Sequence, residues 1–227
     1  MNAPARIAVV MPCFRVGARA LEVIANIGAE VGWIFCVDDA CPLGSGDLIE
    51  RDCKDARVTV LRHAHNGGVG AATMTGLRAA LATPALAFVK LDGDGQMDPS
   101  LIPRLVAPLL CGQADYVKGN RFHRLRDVTA MPMLRLAGNA ALSFLTKLST
   151  GYWQVFDPTN GFIAIDRRVA AALPFDRIAP RYFFESDLLY ELGQLRAKIS
   201  EMPMQAVYGD EPSSLRPPQP IFSRRSC

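Results

Sequence analysis

Charge of one sign is scarce in this chain: 25 Lys and Arg against 22 Asp and Glu leave a formal net charge of +3 over 227 residues. So small and dispersed a surplus excludes an electrostatic footprint for nucleic acid, and no basic run interleaved with aromatics supplies one locally. Long apolar runs are also missing. None reaches the roughly 20 residues that cross a bilayer, and Met-Asn-Ala-Pro-Ala-Arg leads straight into a short strand without the apolar segment of a secretory signal. The chain is therefore expected to be soluble or peripheral at a membrane. Its six cysteines, at 13, 36, 41, 53, 111 and 227, include no Cys-x-x-Cys pair. Three lie in or beside apolar strand-like runs, which points to reduced, mostly buried thiols in a reducing compartment. No internal repeat or low-complexity segment precedes Pro212.

What is present is alternation. With 50% of residues hydrophobic and 21% charged, the chain suits one large α/β domain with a substantial core. Strands are expected at Ile7 to Met11 (stopped by Pro12), Trp33 to Val37, Val58 to Leu61, Ala85 to Leu91, Asp115 to Lys118 and Gly161 to Ile165, with Ile199 to Val207 mostly extended. Helices are expected at Ala20 to Val31, from Ser45 or Asp47 to about Cys53, Gly70 to Leu81, from Asp98-Pro99 onward, over residues 134–148 and at Phe184 to Leu195. The β-α order of the first half predicts an open, Rossmann-like, mainly parallel sheet with helices on both faces.

The densest chemical signal follows the fourth strand, at Asp92-Gly93-Asp94-Gly95-Gln96. Two carboxylates at a strand end, with glycines that let the chain turn, can converge with the Gln96 amide on one divalent cation. Such hard oxygen ligands suit Mg²⁺ or Mn²⁺, ions that usually carry phosphate. A calcium loop of the EF-hand type fails, because the required sixth-position glycine is Met97 and the twelfth-position glutamate is Pro103. In open α/β sheets ligands bind outside the carboxyl ends of strands. Two further polar loops, Pro12 to Arg15 and Asp38-Asp39, fall at such ends, so three signals agree in place. Asp and Gly also make ordinary turns, and it is this convergence that favours chemistry over punctuation.

Val9-Val10-Met11-Pro12-Cys13-Phe14, Val37-Asp38-Asp39, Asn66-Gly67-Gly68-Val69-Gly70-Ala71-Ala72 and Leu91-Asp92-Gly93-Asp94-Gly95-Gln96, in that order, resemble the nucleotide-sugar half of family 2 glycosyltransferases with a GT-A fold. Asp-x-Asp-x-Gln, Gly119-Asn120-Arg121-Phe122 and Asp157-Pro158-Thr159-Asn160-Gly161-Phe162 bring the resemblance nearest to polyprenyl-phosphate sugar transferases related to dolichyl-phosphate mannose synthase, and to bacterial surface-polysaccharide enzymes. The resemblance implies a GT-A domain over residues 1–211, with a nucleotide-sugar half to about 120, an acceptor half after it, and a tail over 212–227. It implies that Pro12 and Phe14 shape the base pocket, that Asp38 or Asp39 holds the base or ribose, and that Asp92, Asp94 and Gln96 engage the Mg²⁺ or Mn²⁺ and the diphosphate. Arg121 then faces the diphosphate or an anionic acceptor. Glu185 is the first choice for a catalytic base and Asp187 the second, although their segment also reads as an amphipathic helix with Phe184, Leu188, Leu189 and Leu192 inward and its acids merely solvated.

The implied activity is inverting transfer of a sugar from a UDP- or GDP-linked donor to a polyprenyl-phosphate or lipid-linked acceptor, in the cytoplasm and peripheral at the inner face of the membrane. Relatives with the ending that begins at Met202 generally continue into membrane helices, whereas this sequence stops after a proline-rich tail. There Arg216, Arg224 and Arg225 around Ile221 and Phe222 make contact with anionic lipid an alternative to a solvated end. Other classes are weaker. A sugar nucleotidyltransferase would want a glycine-rich basic loop after the first strand, and a non-catalytic nucleotide-sugar binder would release no nucleoside diphosphate. Gly68-Val69-Gly70-Ala71-Ala72-Thr73 mimics a dinucleotide fingerprint, but Thr73 stands where Gly or Ala is needed. His63-x-His65 lacks a third zinc ligand at suitable spacing.

Overall fold

The computed structural model describes residues 6–121, 147–148 and 150–204. Strands β1 (Ile7–Cys13), β2 (Val31–Asp38), β3 (Val58–Arg62), β4 (Ala87–Lys90), β5 (Tyr116–Asn120), β6 (Ile163–Asp166) and β7 (Ile199–Pro203) form one sheet in the order β3-β2-β1-β4-β6-β5-β7. All neighbours are parallel except β6, which runs antiparallel to both β4 and β5. Helices α1 (Arg19–Ala25), α2 (Ser45–Asp52), α3 (Val69–Leu81), α4 (Ile102–Leu110), α5 (Arg167–Ala172) and α6 (Phe184–Gln194) cover the two faces.

The faces are set by alternation within β1, whose seven residues are all buried. Ile7, Val9 and Met11 pack into one core with Val23 and Ile24 of α1 and Ile102, Leu105 and Val106 of α4. Ala8 and Val10 point the other way, into a second core with Met74 and Leu77 of α3 and Phe184, Leu188 and Leu189 of α6. Successive strand residues face opposite sides, so a strand covered on both must be apolar throughout.

Pro12 does not stop β1. The strand continues to Cys13 against β2, while pairing with β4 reaches only Val10–Lys90. The Val10 carbonyl accepts the Leu91 N–H on the β4 side, and the Cys13 carbonyl accepts the Asp39 N–H on the β2 side. By that alternation the missing Pro12 N–H falls on the side β4 has already left, where a ladder costs nothing to omit.

The helix expected over Ala20 to Val31 ends at Ala25. Asn26 places its own side-chain amide on the Glu22 carbonyl at 2.8 Å, a local bond that competes with the helical ladder. Arg57 then bonds the carbonyls of Ile27, Gly28 and Val31, satisfying backbone that the helix would otherwise have paired. Helix α2 starts at Ser45, yet neither Ser45 nor Asp47 caps it: the Gly46 N–H goes to Asp38 Oδ2 at 2.8 Å. Asp98 does open the next helical segment, its Oδ1 accepting the Ser100 N–H ahead of a 3₁₀ turn that runs into α4. Of the helix expected over residues 134–148 only 147 and 148 are described, and the segment from 205 on, with the tail arginines, lies outside the described residues. Among the described residues no helix is long and apolar enough to cross a membrane.

Candidate active site

A cleft of about 550 Å³ lies at the carboxyl ends of β1, β2 and β4. It sits where strand order reverses, since β1 feeds β2 and β3 to one side and β4 lies on the other, the crevice that an open α/β sheet offers to ligands. Pro12 and Phe14 enter from the end of β1, Asp39 from β2, and Asp92, Asp94 and Gln96 from β4. Arg121 from β5, Asn160 and Gly161 ahead of β6, and Glu185 on α6 line it from the other side. Residues 80 or more apart in the chain therefore share one wall.

The acidic loop turns tightly. Gly95 has φ 79°, a left-handed conformation that suits glycine, and Asp94 Oδ1 accepts the Gln96 N–H at 2.9 Å. Gly93 serves a different purpose from the one its sequence position implies: a Cβ there would meet Met11 Sδ at 3.3 Å, so it lets the loop lie against β1. Asp92 Oδ1 is 2.7 Å from the ammonium of Lys90, which is buried to 2% exposure. Two carboxylates and a side-chain amide in one cleft fit a hard cation that takes its remaining oxygens from a bound phosphate, the habit of Mg²⁺. Among the described residues no group of three His, Cys, Asp or Glu side chains is placed to hold a metal unaided.

The acidic doublet after β2 splits. Asp38 does not line the cleft; its oxygens accept the Cys41 and Gly46 N–H groups at 2.7 and 2.8 Å and fix the entry to α2. Asp39 does line it, while Oδ1 takes the Gly67 N–H at 2.8 Å and Oδ2 the Gly68 N–H at 2.7 Å. His63 joins the same carboxylate through Nδ1 at 2.7 Å and reaches Thr75 through Nε2 at 2.9 Å. Both ring nitrogens are thus engaged within the protein. The backbone around these side chains is held in uncommon conformations, with Arg15 at φ 59° and Ala40 at φ 50°, and the Arg15 N–H reaches Cys41 Sγ at 3.1 Å.

Opposite the doublet, Arg121 forms a two-point pair with the fully buried Asp157, its Nε 2.8 Å from Oδ2 and Nη2 2.9 Å from Oδ1. Its guanidinium is therefore fixed as part of the wall. Glu185 lines the cleft partly buried, and burial raises its pKa, against the opposing pull of Lys90 and Lys118. Asp187, two residues on and so on another face of the helix, does not line the cleft and holds a loop, Oδ2 accepting the Ala179 N–H at 2.9 Å. Helix α6 is amphipathic as its sequence reads, with Phe184, Leu188, Leu189 and Leu192 all buried, but its acids are not merely solvated: Glu185 lines the cleft and Asp187 is bonded to the Ala179 N–H. Beneath it Lys118 is fully buried, its ammonium bonded to the Asn160 carbonyl and its pKa pulled down to about 8 by burial.

No sequence motif singles out Lys90, Lys118 or Arg181, and Asn160 enters only as part of the Asp157 to Phe162 segment. The two lysines stand inside strands that read as apolar, and a charged residue in such a run is the sequence signal that marks them, since buried charge persists only with a partner. Arg181 bonds the carbonyl of Asn66 at 3.1 Å and closes the cleft rim.

The sequence model for glycosyl transferase family 2 matches residues 8–173. The chain is 33% identical over 152 residues to the UDP-N-acetylglucosamine–dolichyl-phosphate N-acetylglucosaminyltransferase of Methanococcus voltae, covering 67% of this chain and 60% of that one. It is 30% identical over 176 residues to the undecaprenyl-phosphate mannosyltransferase of Micrococcus luteus, covering 77% of this chain and 71% of that one. Among solved structures, glucosyl-3-phosphoglycerate synthase from Mycobacterium tuberculosis, crystallised with Mn²⁺, UDP and glucosyl-3-phosphoglycerate, superposes with a TM-score of 0.66 at 23% identity, covering 93% of this chain and 74% of that one. The sheet order, the cleft at its switch point and these likenesses agree that the fold is GT-A and that this chain is a glycosyltransferase belonging to family 2.

Proposed function

We propose that the cleft binds a nucleotide-diphosphate sugar together with Mg²⁺ or Mn²⁺ and transfers the sugar, with inversion, to a polyprenyl-phosphate or lipid-linked acceptor. The observation that carries this reading is the convergence of Asp92, Asp94 and Gln96 with Pro12, Phe14 and Asp39 in one cleft. The relatives named for dolichyl- and undecaprenyl-phosphate support the acceptor class, and the solved synthase complexes with UDP and Mn²⁺ or Mg²⁺ support the donor and the cation.

In this reading Pro12 and Phe14 provide an apolar wall for the base. A carboxylate offers about four acceptor positions. Asp39 uses three, on Gly67, Gly68 and His63, and keeps one for a base N–H or ribose hydroxyl. Asp92, Asp94 and Gln96 would hold the cation, which when bound would neutralise the charge growing on the departing diphosphate. Arg121 and Arg181, which both line the cleft, position an anionic acceptor in the half of the molecule after residue 120. A phosphate acceptor arrives ionised and needs only that positioning, whereas a hydroxyl acceptor needs Glu185 to take its proton. The exposed Tyr182 at the mouth, 86% accessible, is suited to meet a lipid-linked substrate as it arrives.

The test is a thermal-shift panel of UDP-, GDP- and dTDP-sugars with and without Mn²⁺, followed by release of nucleoside diphosphate in the presence of a short-chain polyprenyl phosphate. A metal-dependent shift for one donor, with sugar transfer, is expected. Absence of any shift overturns the reading, and a shift without release leaves a nucleotide-sugar-binding protein.

A further inference from the structure

Lys90 is the last residue of β4, the strand that delivers the acidic loop. Its ammonium lies 2.7 Å from Asp92 Oδ1 and 5.4 Å from the centre of the Phe184 ring. On another side stands Gly161, where an added Cβ would collide with Lys90 Nζ and come within 3.0 Å of Asp92 Oδ2. An aromatic ring and a side-chain-free backbone thus wall the lysine in, at 2% exposure, while Asp92 keeps 26% toward the cleft. An ammonium so enclosed has no water to turn to and stays on its carboxylate. Glu185 is near enough to feel both charges, but the ion pair is formed with Asp92.

The consequence concerns the cation. With Lys90 on Asp92, the charge of that carboxylate is already offset within the protein, and no third acidic or histidine side chain among the described residues joins the two of the loop. We infer that Lys90 is a positioning residue that holds Asp92 back from a free divalent cation, so that the cation binds tightly only when a nucleotide diphosphate brings its own oxygens. The inference rests on the proposed donor reading and adds an order to it: metal and nucleotide enter as one unit. By linkage, each then strengthens the other by the same factor. A lysine that merely supported the fold would have the opposite effect on removal, because losing it would loosen the loop and weaken cation binding.

The experiment is calorimetric titration of Mn²⁺ into the whole chain, alone and with UDP or GDP, for the wild type, Lys90→Met, Asp94→Ala and the double variant Lys90→Met/Asp92→Asn. Lys90→Met is expected to tighten binding of Mn²⁺ alone by about tenfold or more, as a neighbouring positive charge is removed, and to shrink the Mn²⁺–nucleotide coupling. The double variant removes one charge of each sign, leaves no unpaired buried ion, and is expected to bind Mn²⁺ alone within about threefold of the wild type. Asp94→Ala is expected to lose it. A folded Lys90→Met protein with unchanged or weaker Mn²⁺ binding overturns the inference. So does a double variant that loses as much as Asp94→Ala, an outcome that decides the matter even where Lys90→Met fails to fold. A wild type that binds neither nucleotide with Mn²⁺ overturns the donor reading itself, which separates the two failures.

Discussion

Asp94 is a partly buried residue on a tight loop, where its Oδ1 accepts the Gln96 N–H, so its loss should cost little structure. Asp94→Ala is expected to change unfolding free energy by no more than about 1 kcal/mol while abolishing metal-dependent nucleotide binding, read by urea denaturation and calorimetry on the same protein. Glu185 invites a split test. Burial raises its pKa, and a base must be ionised, so the rate with a hydroxyl acceptor should fall as pH drops through that raised value. Glu185→Gln should remove this limb and lower kcat by roughly 10²–10⁴ with a hydroxyl acceptor, yet leave a polyprenyl-phosphate acceptor within about threefold. Lys118 makes a prediction about stability. Its folded pKa of about 8 lies below the ordinary 10.5, so between those values the unfolded chain binds the proton that the folded chain has released. Stability should therefore rise with pH across that window, by about 3 kcal/mol in total, and be lost again as pH falls through 8. Lys118→Met should flatten the rise in denaturation series run from pH 8 to 10.5.

The packing of elements explains a glycine pattern that resembles a dinucleotide fingerprint. At the start of α3, a Cβ on Gly70 would lie 2.6 Å from Phe184 Cβ, and the next N–H, of Ala71, bonds the Pro180 carbonyl at 2.9 Å. The glycine serves close approach of the loop that leads into α6 and carries Arg181 to the cleft rim, so it is a contact between elements, not a cradle for pyrophosphate. Gly70→Val is expected to cost about 1–3 kcal/mol through overpacking and to weaken nucleotide binding as the rim is pushed outward, measured by urea midpoint and by thermal shift with donor. Arg57 acts at the same scale: two carbonyls between α1 and β2 and that of the first β2 residue depend on it, and nothing in the local sequence of that segment announces a partner some 30 residues away.

For the molecule as a whole, the cleft joins strands β1, β2 and β4 to the later segments that hold Arg121, Asn160 and Glu185, so ligand binding should stabilise the domain as one unit. At a hundredfold excess over Kd, metal plus the true donor nucleotide should add about 2.7 kcal/mol, a Tm rise of roughly 5–10 °C for a domain of this size. Calorimetry should show a single transition moving upward. A shift confined to one of two resolved transitions would contradict a shared site.

Local chemistry was enough to determine much of this. Continuous apolar runs located the strands to within a few residues, Asp98-Pro99 opened a helical segment, and the acids and glycines after Leu91 marked a turn, because these preferences depend on neighbours in sequence. Tertiary contacts decided the rest. Asp38 and Asp39 are adjacent and chemically identical, yet only Asp39 faces the cleft, since Asp38 is claimed by the Gly46 N–H of α2 and Asp39 by Gly67 and Gly68. Glu185 and Asp187 divide in the same way, between cleft and the Ala179 N–H. The placement of Lys90 on Asp92 beneath Phe184 and Gly161 belongs wholly to the fold. A buried charge is located by what encloses it, and here the enclosing residues come from a loop and a helix 70 or more positions further along the chain.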